Sequence, residues 1–363
     1  MSDRWMVISL ARTGTWEFVR ELVRSWPHPP PQVWLSEQAP VWPCPNSQRI
    51  STWRTNFFAP IATHVFLPLF LLRLRKYLKG HPNVSILFPS FHLWHGPAAW
   101  LAQKFSIPVF MIVHDAIPHP GEHKMGLIWL ENKIYRQANG LIFLSNYAHE
   151  QFCNYRFQPA NNKVLYHGPL THAVEKSDYS TAQHAEGFRI LFFGRLVYYK
   201  GIDLLIEALR LLPVDHTWMC QIVGERRGQY ELPVFHDLPV KLHEGRLDEN
   251  EVASLFQTHD LLVLPYREAS QSGVLMLAAA AGLPVVCTRV GGLQEQLGED
   301  AVYWVEPNAA SIREGIVHMM TNAALLEQKR AAITEAGKAM EWGAFFEGLA
   351  HFDQELRPRI DTN

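Results

Sequence analysis

Short apolar runs alternate along the chain with longer stretches whose apolar residues recur at helical spacing. In the first half the runs are Trp5–Ala11, Val33–Leu35, Val84–Pro89, Val109–Val113 and Leu141–Leu144. They are continuous rather than alternating, the pattern of strands buried on both faces of a parallel sheet. Gly14–Trp26, Trp94–Lys104 and Leu127–Gln137 read as helices between them. This is a repeated β-α-β pattern, which predicts a doubly wound domain.

The pattern stops near residue 170. Thr171–Gly187 is polar and without period, and reads as a linker. A second series follows. Arg189–Phe193, Thr217–Val223, Leu261–Pro265 and Pro284–Cys287 read as strands. Gly201–Leu212, Asn250–Gln257, Ser272–Ala281 and Ala309–Asn322 read as helices, and Trp342–Leu356 as a last amphipathic helix. The fold class expected is α/β, two Rossmann-like doubly wound domains facing each other across a cleft. The expected boundaries are 1–170, a linker at 171–187, 188–340, and a C-terminal helix at 341–363.

Composition agrees with two filled cores. The 363 residues are 48% hydrophobic and 19% charged, and about 150 residues per domain gives two. The net charge of −2 argues against a whole-chain binder of nucleic acid. It hides an asymmetry. Residues 1–170 hold 16 Lys and Arg against 8 Asp and Glu, a balance of +8, and 171–363 hold 17 against 27, a balance of −10. Nine of the twelve tryptophans lie before residue 170. A basic, Trp-rich half joined to an acidic half suggests domains with different partners.

Several chemistries lack their motifs. There is no G-x-G-x-x-G, no G-x-x-x-x-G-K-[ST], no H-E-x-x-H and no G-x-S-x-G. No Asp-x-Asp metal motif occurs. Cys44, Cys153, Cys220 and Cys287 are too far apart for a zinc ribbon or a disulfide framework. No apolar signal core follows Met1, and the longest apolar stretch, Phe57–Leu72, is interrupted by Thr63, His64 and two prolines. A cytoplasmic protein is expected, at most touching a membrane surface.

Two segments carry candidate chemistry. In Phe193-Gly194-Arg195-Leu196-Val197-Tyr198-Tyr199-Lys200-Gly201 a strand ends at Gly194 and two cations follow, five residues apart, at a helix start. Gly lets the backbone approach a ligand, and Arg, Lys and helix N–H groups suit a diphosphate. The alternative is an ordinary turn with two solvated cations. The second segment runs from Pro265 through Arg267, Glu268, Ser270, Gln271, Ser272, Gly273 and Val274 into Leu277 and the Ala278–Gly282 stretch. A strand end, a loop with one carboxylate and a small-residue helix start again favour phosphate. Ser270 or Ser272 also serves as an N-cap.

These segments, in this order and separation, resemble the C-terminal domain of glycosyltransferase family 4, of the GT-B architecture. The resemblance runs from Arg189 to about Leu297. It takes in Gly224 after a strand, His243-Glu244-Gly245-Arg246-Leu247, Asp260–Pro265, Ala281–Val286 and Val290-Gly291-Gly292-Leu293-Gln294-Glu295. The Trp342 helix resembles the family's C-terminal helix, which returns to the N-terminal domain. The resemblance implies retaining sugar transfer from a nucleotide-diphosphate sugar, without a metal or other cofactor. Arg195 and Lys200 match its diphosphate-binding pair, joined by the segment Ser272, Gly273 and Val274. Gly224, Gly245, Arg246 and Leu247 match its nucleotide side. Glu268, Ser270 and Gln271 fall where it holds the sugar.

The chain departs from the family at two glutamates, whose positions hold Ala269 and Leu277. Glu268, one residue early, is the expected replacement for the first. Gln-Ser-Gly-Val resembles a variant subgroup associated with bacterial polysaccharide synthesis. The departure keeps open a non-catalytic glycan- or nucleotide-binding scaffold. A sugar-nucleotide epimerase is a further alternative, although it needs several carboxylates where only Glu268 is found.

In the first domain the resemblance rests on Val113-His114-Asp115 and on Gly14, in a turn similar to the family's glycine loop. It implies that His114, at a strand end, faces the transferred sugar. His119 and Asp115 are alternatives for the catalytic role. The expected acceptor is a glycan or lipid-linked sugar. Phe66–Leu72 followed by Arg73, Arg75, Lys76 and Lys79 reads either as contact with an anionic membrane or as a core helix with a cationic last turn.

Overall fold

A computed structural model describes residues 4–10, 15–40, 42–44, 46–52, 59–117, 125–171, 174, 187–213, 217–226 and 230–360, with backbone only at 59–63, 125–127 and 358–360. The chain forms two compact units, Met1–His167 with Trp342–Asn363, and Gly168–Glu341. Among the described residues no helix is long and apolar enough to cross a membrane. Gly14, His119 and most of the 171–187 linker lie outside the described residues.

The first unit is built on a parallel sheet. Its strands are β1 (Trp5–Ser9), β2 (Gln32–Ser36), β3 (Ser47–Ile50), β4 (Ser85–Phe88), β5 (Val109–Val113), β6 (Gly140–Phe143) and β7 (Asn162–Val164). Their order is β3-β2-β1-β4-β5-β6-β7. Every residue of β1, β4, β5 and β6 is buried, which is why these strands read as unbroken apolar runs. One sheet face packs under α2 (Ala59–Gly80), α3 (His95–Gln103), α4 (Met125–Tyr135) and α5 (Asn146–Tyr155).

In α2, Phe70, Leu74 and Leu78 point into that core. Pro68 lies within the helix but on its exposed side. The carbonyl that loses its intrahelical donor therefore lies on the solvated side, and the helix continues.

The other sheet face is covered by α1 (Trp16–Arg24) and by the final helix, α12 (Trp342–Ile360). Phe352 meets Phe110 at 5.4 Å, and Phe346 meets Trp26 at 4.8 Å. Gly140 is required beneath this helix, because a Cβ there would strike the Phe352 ring. The buried Asp353 carboxylate accepts from Ser85 Oγ at 2.6 Å and Arg357 Nε at 2.9 Å.

The second unit repeats the plan with β8 (Phe188–Phe193), β9 (Trp218–Gly224), β10 (Val240–Glu244), β11 (Leu261–Leu264), β12 (Val285–Thr288) and β13 (Tyr303–Val305). The order is β10-β9-β8-β11-β12-β13, again all parallel. Its helices are α6 (Ile202–Arg210), α7 (Glu249–Thr258), α8 (Gly273–Ala281), α9 (Leu293–Leu297), α10 (Ala309–Thr321) and α11 (Ala323–Ala339). Asp248 and Glu251 form a capping box on α7.

Both sheets reverse their strand order once, between β1 and β4 in the first unit and between β8 and β11 in the second. Ligands of open α/β sheets bind beyond the carboxyl ends of the strands at such a reversal.

Candidate active site

In the second unit, three chain segments meet at the β8/β11 reversal. β8 is followed by Gly194, where a Cβ would stand 3.7 Å from Val274 Cγ2. The loop after β8 therefore lies against the start of α8. β9 comes equally close, since a Cβ on Gly224 would collide with the Gly194 carbonyl. Gly245 N donates to the Gly224 carbonyl at 2.9 Å and has φ +149°, open to glycine. Three glycines thus let three strand ends crowd together.

The cations lie at this junction. Tyr198–Lys200 forms one 3-10 turn, and Gly201 in the left-handed region (φ +66°) caps α6. Lys200 therefore ends the turn before the helix instead of opening the helix. Its side chain is buried, with Nζ 3.5 Å from the centre of the Tyr266 ring, a favourable seat for a desolvated ammonium. Arg195 is half-buried, 5.6 Å from the Tyr199 ring. It has no carboxylate partner among the described residues.

Opposite them, Ser272 caps α8 and accepts from Leu275 N at 3.3 Å. The N–H groups of Gly273 and Val274 have no acceptor among the described residues. A guanidinium without a carboxylate, an ammonium and two free amide donors together form an anion site.

The intervening loop is fastened from several sides. Arg267 grips Asp203 of α6 with two 2.7 Å bonds, and its N–H donates to the Tyr199 carbonyl at 2.8 Å. Burial opposes ionisation of Asp203, but the Arg267 bonds and charge outweigh it and hold the carboxyl below its ordinary range. Thr288 Oγ1 donates to the Tyr266 carbonyl at 2.6 Å. The buried Gln296 Oε1 accepts from Ser272 N at 2.7 Å. Gly291, at φ +57°, lies so close to the Ala269 carbonyl that a Cβ would clash.

Glu268, Ser270 and Gln271 are half-buried on this loop. Ala269 and Leu277 are buried, so neither family glutamate position offers a polar group. On the β9/β10 side Gly245 and Leu247 are half-buried, and Arg246 is exposed and paired with Glu225 at 3.4 Å.

The strand ends beside the β1/β4 reversal of the first unit have different chemistry. His114 follows β5, and its Nε2–H donates to the Pro89 carbonyl at 2.7 Å. The carbonyl can only accept, so this bond fixes the tautomer and leaves Nδ1 unprotonated. Burial pushes the imidazole below its ordinary pKa, against the pull of Pro89 and the Asp115 charge. Phe18 meets the ring edge-on at 4.8 Å. Asp115 is exposed.

Nearby His95, the first residue of α3, is fully buried and stacked on Phe88 at 4.1 Å. Among the described residues neither of its nitrogens makes a well-formed hydrogen bond, and Ser90 Oγ is buried without a partner. Burial, then the neighbouring His92, push His95 well below the usual histidine pKa.

Sequence reasoning named the cations and the loop, but not Gln296, Thr288 or the Arg267–Asp203 pair that hold them. Arg267 fell within the second candidate segment, but its partner Asp203 lay outside both. Gln296 and Thr288 left no trace, because their role is contact across 22 to 24 residues of chain.

Residues 11–168 match the Glycosyl transferase 4-like domain, and residues 187–322 match Glycosyl transferases group 1. Over 160 residues the chain is 32% identical to a subunit of the phosphatidylinositol N-acetylglucosaminyltransferase of Homo sapiens, covering 40% of this chain and 32% of that one. It spans between 32% and 48% of the length of the first curated relatives it matches.

Sucrose-phosphate synthase from Thermosynechococcus elongatus superposes with a TM-score of 0.76 at 17% identity, over 97% of this chain and 99% of that one. Anabaena HepE in complex with UDP and glucose does so with a TM-score of 0.71 at 14% identity, over 97% and 100%. At such identities the likeness is one of fold. With two family matches in succession on two parallel-sheet α/β units, the chain belongs to the group 1 glycosyltransferases of the GT-B fold.

Proposed function

We propose that the protein is a retaining, metal-independent glycosyltransferase. It moves a sugar from a nucleotide-diphosphate sugar to a glycan or lipid-linked acceptor, in polysaccharide or glycolipid synthesis at the cytoplasmic face of a membrane. The observation that carries this reading is the anion site of the second unit: Arg195 without a carboxylate partner among the described residues, the buried Lys200, and the N–H groups of Gly273 and Val274, which meet no acceptor among them. A leaving diphosphate gains charge as the glycosidic bond breaks, and fixed donors aimed at it stabilise that state most. Two protein cations serve where other transferases use a divalent ion.

The nucleotide lies toward Gly224 and the Gly245–Leu247 turn. Glu268, Ser270 and Gln271 hold sugar hydroxyls. His114 serves the transferred sugar. With Nε2–H committed to Pro89, it offers the Nδ1 lone pair and its main-chain carbonyl, both acceptors for a sugar hydroxyl. His119 and Asp115 are the rivals for that role.

The donor class is supported by the HepE complex, which holds UDP and glucose. The lipid-linked acceptor is supported by the relative whose name specifies phosphatidylinositol. The test incubates the protein with a panel of nucleotide-sugars in EDTA and follows donor loss and product configuration by NMR. Slow hydrolysis or transfer with retained anomeric configuration is the expected result. A donor bound and released intact assigns the non-catalytic scaffold. His114→Ala should keep nucleotide affinity and lose transfer; if His119→Ala does so instead, the catalytic histidine is misassigned.

A further inference from the structure

The outer surface of the first unit carries a second chemistry that donor binding does not use. Helices α2, α3 and α4 pack side by side over one sheet face. Each leads from the carboxyl edge of the sheet back to the start of a parallel strand. All three therefore run the same way, and residues late in each helix lie at the same end of the sheet.

The inward residues of these helices fill the core. Their outward residues leave large apolar groups in solvent. Val65, Leu69 and Leu72 on α2 are 51%, 49% and 61% exposed, Trp100 on α3 is 54% exposed and Trp129 on α4 is 60% exposed. Each tryptophan has a lysine four residues on: Lys104 lies 5.5 Å from the Trp100 ring and Lys133 lies 3.7 Å from the Trp129 ring.

The charge on this face has one sign. Arg73, Arg75, Lys76, Lys79, Lys104, Lys133 and Arg136 lie on the three helices or at their ends, against one carboxylate, Glu131. That carboxylate is taken by Arg156 at 2.7 Å. Half-exposed indoles with a polar N–H suit the headgroup layer of a bilayer, and adjacent cations suit lipid phosphates. A second copy docked on the same face would bring the cations against themselves. A single nucleic-acid strand would find stacking surfaces on two indoles, but none on the aliphatic row of α2.

We propose that the outer face of α2, α3 and α4 docks on an anionic bilayer. Trp100, Trp129, Leu69 and Leu72 enter the headgroup–acyl boundary, and the seven cations meet lipid phosphates. This docking deepens the proposed lipid-linked acceptor and rests on it, because a membrane-borne acceptor gives the docking its purpose.

The test is co-sedimentation of the full chain with neutral phosphatidylcholine vesicles and with vesicles containing phosphatidylglycerol, at low and high salt. Three proteins are compared: the native chain, a Trp100→Gln/Trp129→Gln variant, and a variant with Arg73, Arg75, Lys76 and Lys79 changed to Gln. The native chain should sediment with anionic vesicles only, less so at high salt. Each variant should lose at least about tenfold in vesicle affinity, with thermal unfolding and nucleoside-diphosphate affinity unchanged. Retained nucleotide affinity separates failure here from failure of the donor reading. The proposal is overturned if the native chain ignores anionic vesicles, or if the tryptophan variant sediments like the native chain. Sizing that shows a dimer lost in that variant, or oligonucleotide binding lost with it, would assign the face to another occupant.

Discussion

The two sheets reverse at the same topological position, yet their crevices offer opposite chemistry. At β8/β11 the chain collects positive groups: Arg195, Lys200 and the free donors of α8. Beside the β1/β4 reversal, at the ends of β4 and β5, it collects neutral ones: His114 in its Nε2–H tautomer, His95 without a well-formed hydrogen bond among the described residues, and Ser90. One crevice suits a charged diphosphate, the other a neutral polyol. The same strand order serves both because it fixes where side chains converge but not which side chains they are.

The crevices differ also in how they are held. The second-unit crevice depends on backbone crowding at Gly194, Gly201, Gly224 and Gly291, where Gly201 meets the Pro265 carbonyl. Gly224→Ala should therefore cause the largest change, at least about 3 kcal/mol of lost stability, measured by urea unfolding. A native midpoint would show that the strand ends relax at little cost.

Arg195→Ala and Lys200→Ala come next. Each should lower turnover about a hundredfold or more without unfolding the chain. Near-native turnover in both variants would end the comparison, since the charged crevice would then carry no charge chemistry.

Gln296→Leu should have a smaller effect. It strips the buried Ser272 N–H of its acceptor, at about 1–3 kcal/mol. The expected result is weaker donor binding in a calorimetric titration, with Arg195 and Lys200 in place. Unchanged affinity and stability would mean that the loop is held without Gln296.

The smallest effect tests the neutral crevice. His95 and His114 both have lowered pKa values through burial, so the unfolded chain binds their protons more readily than the folded one. Their neutral folded form is fully stable above the unfolded value of about 6.5, and stability falls as pH drops below it. His95→Phe should raise stability by up to about 1 kcal/mol and flatten the fall between about pH 6.5 and 5. Urea midpoints at both ends of that range check the slope. An unchanged slope would show that His95 keeps no proton deficit.

Much of this plan was legible in the sequence. Buried parallel strands such as Val109–Val113 have no solvent face, so they appear as solid apolar runs. The strands that escaped notice are β3, β7, β10 and β13. None of them is more than half buried along its length. Residues such as Val240-Lys241-Leu242-His243-Glu244 therefore do not form an apolar run. Helices α5 and α11 escaped for a related reason, since most of their residues are polar or small. Strand β1 ended two residues before its apolar run did.

At the site, the cations and the helix start were legible because each is local. The clamps were not, since Gln296 reaches Ser272 and Arg267 reaches Asp203 only in the folded chain. The exposure of Trp100 and Trp129 was also hidden, because composition counts tryptophans without saying which face they occupy.

The central claim is that protein cations and a helix start hold a nucleotide diphosphate without a metal. Its most direct test is calorimetric titration of a panel of nucleoside diphosphates into the native chain in EDTA, repeated with Arg195→Ala and Lys200→Ala. At least one diphosphate should bind in EDTA, with a loss of at least about tenfold in each variant. Binding that requires an added divalent ion, or equal affinity in all three proteins, would contradict it.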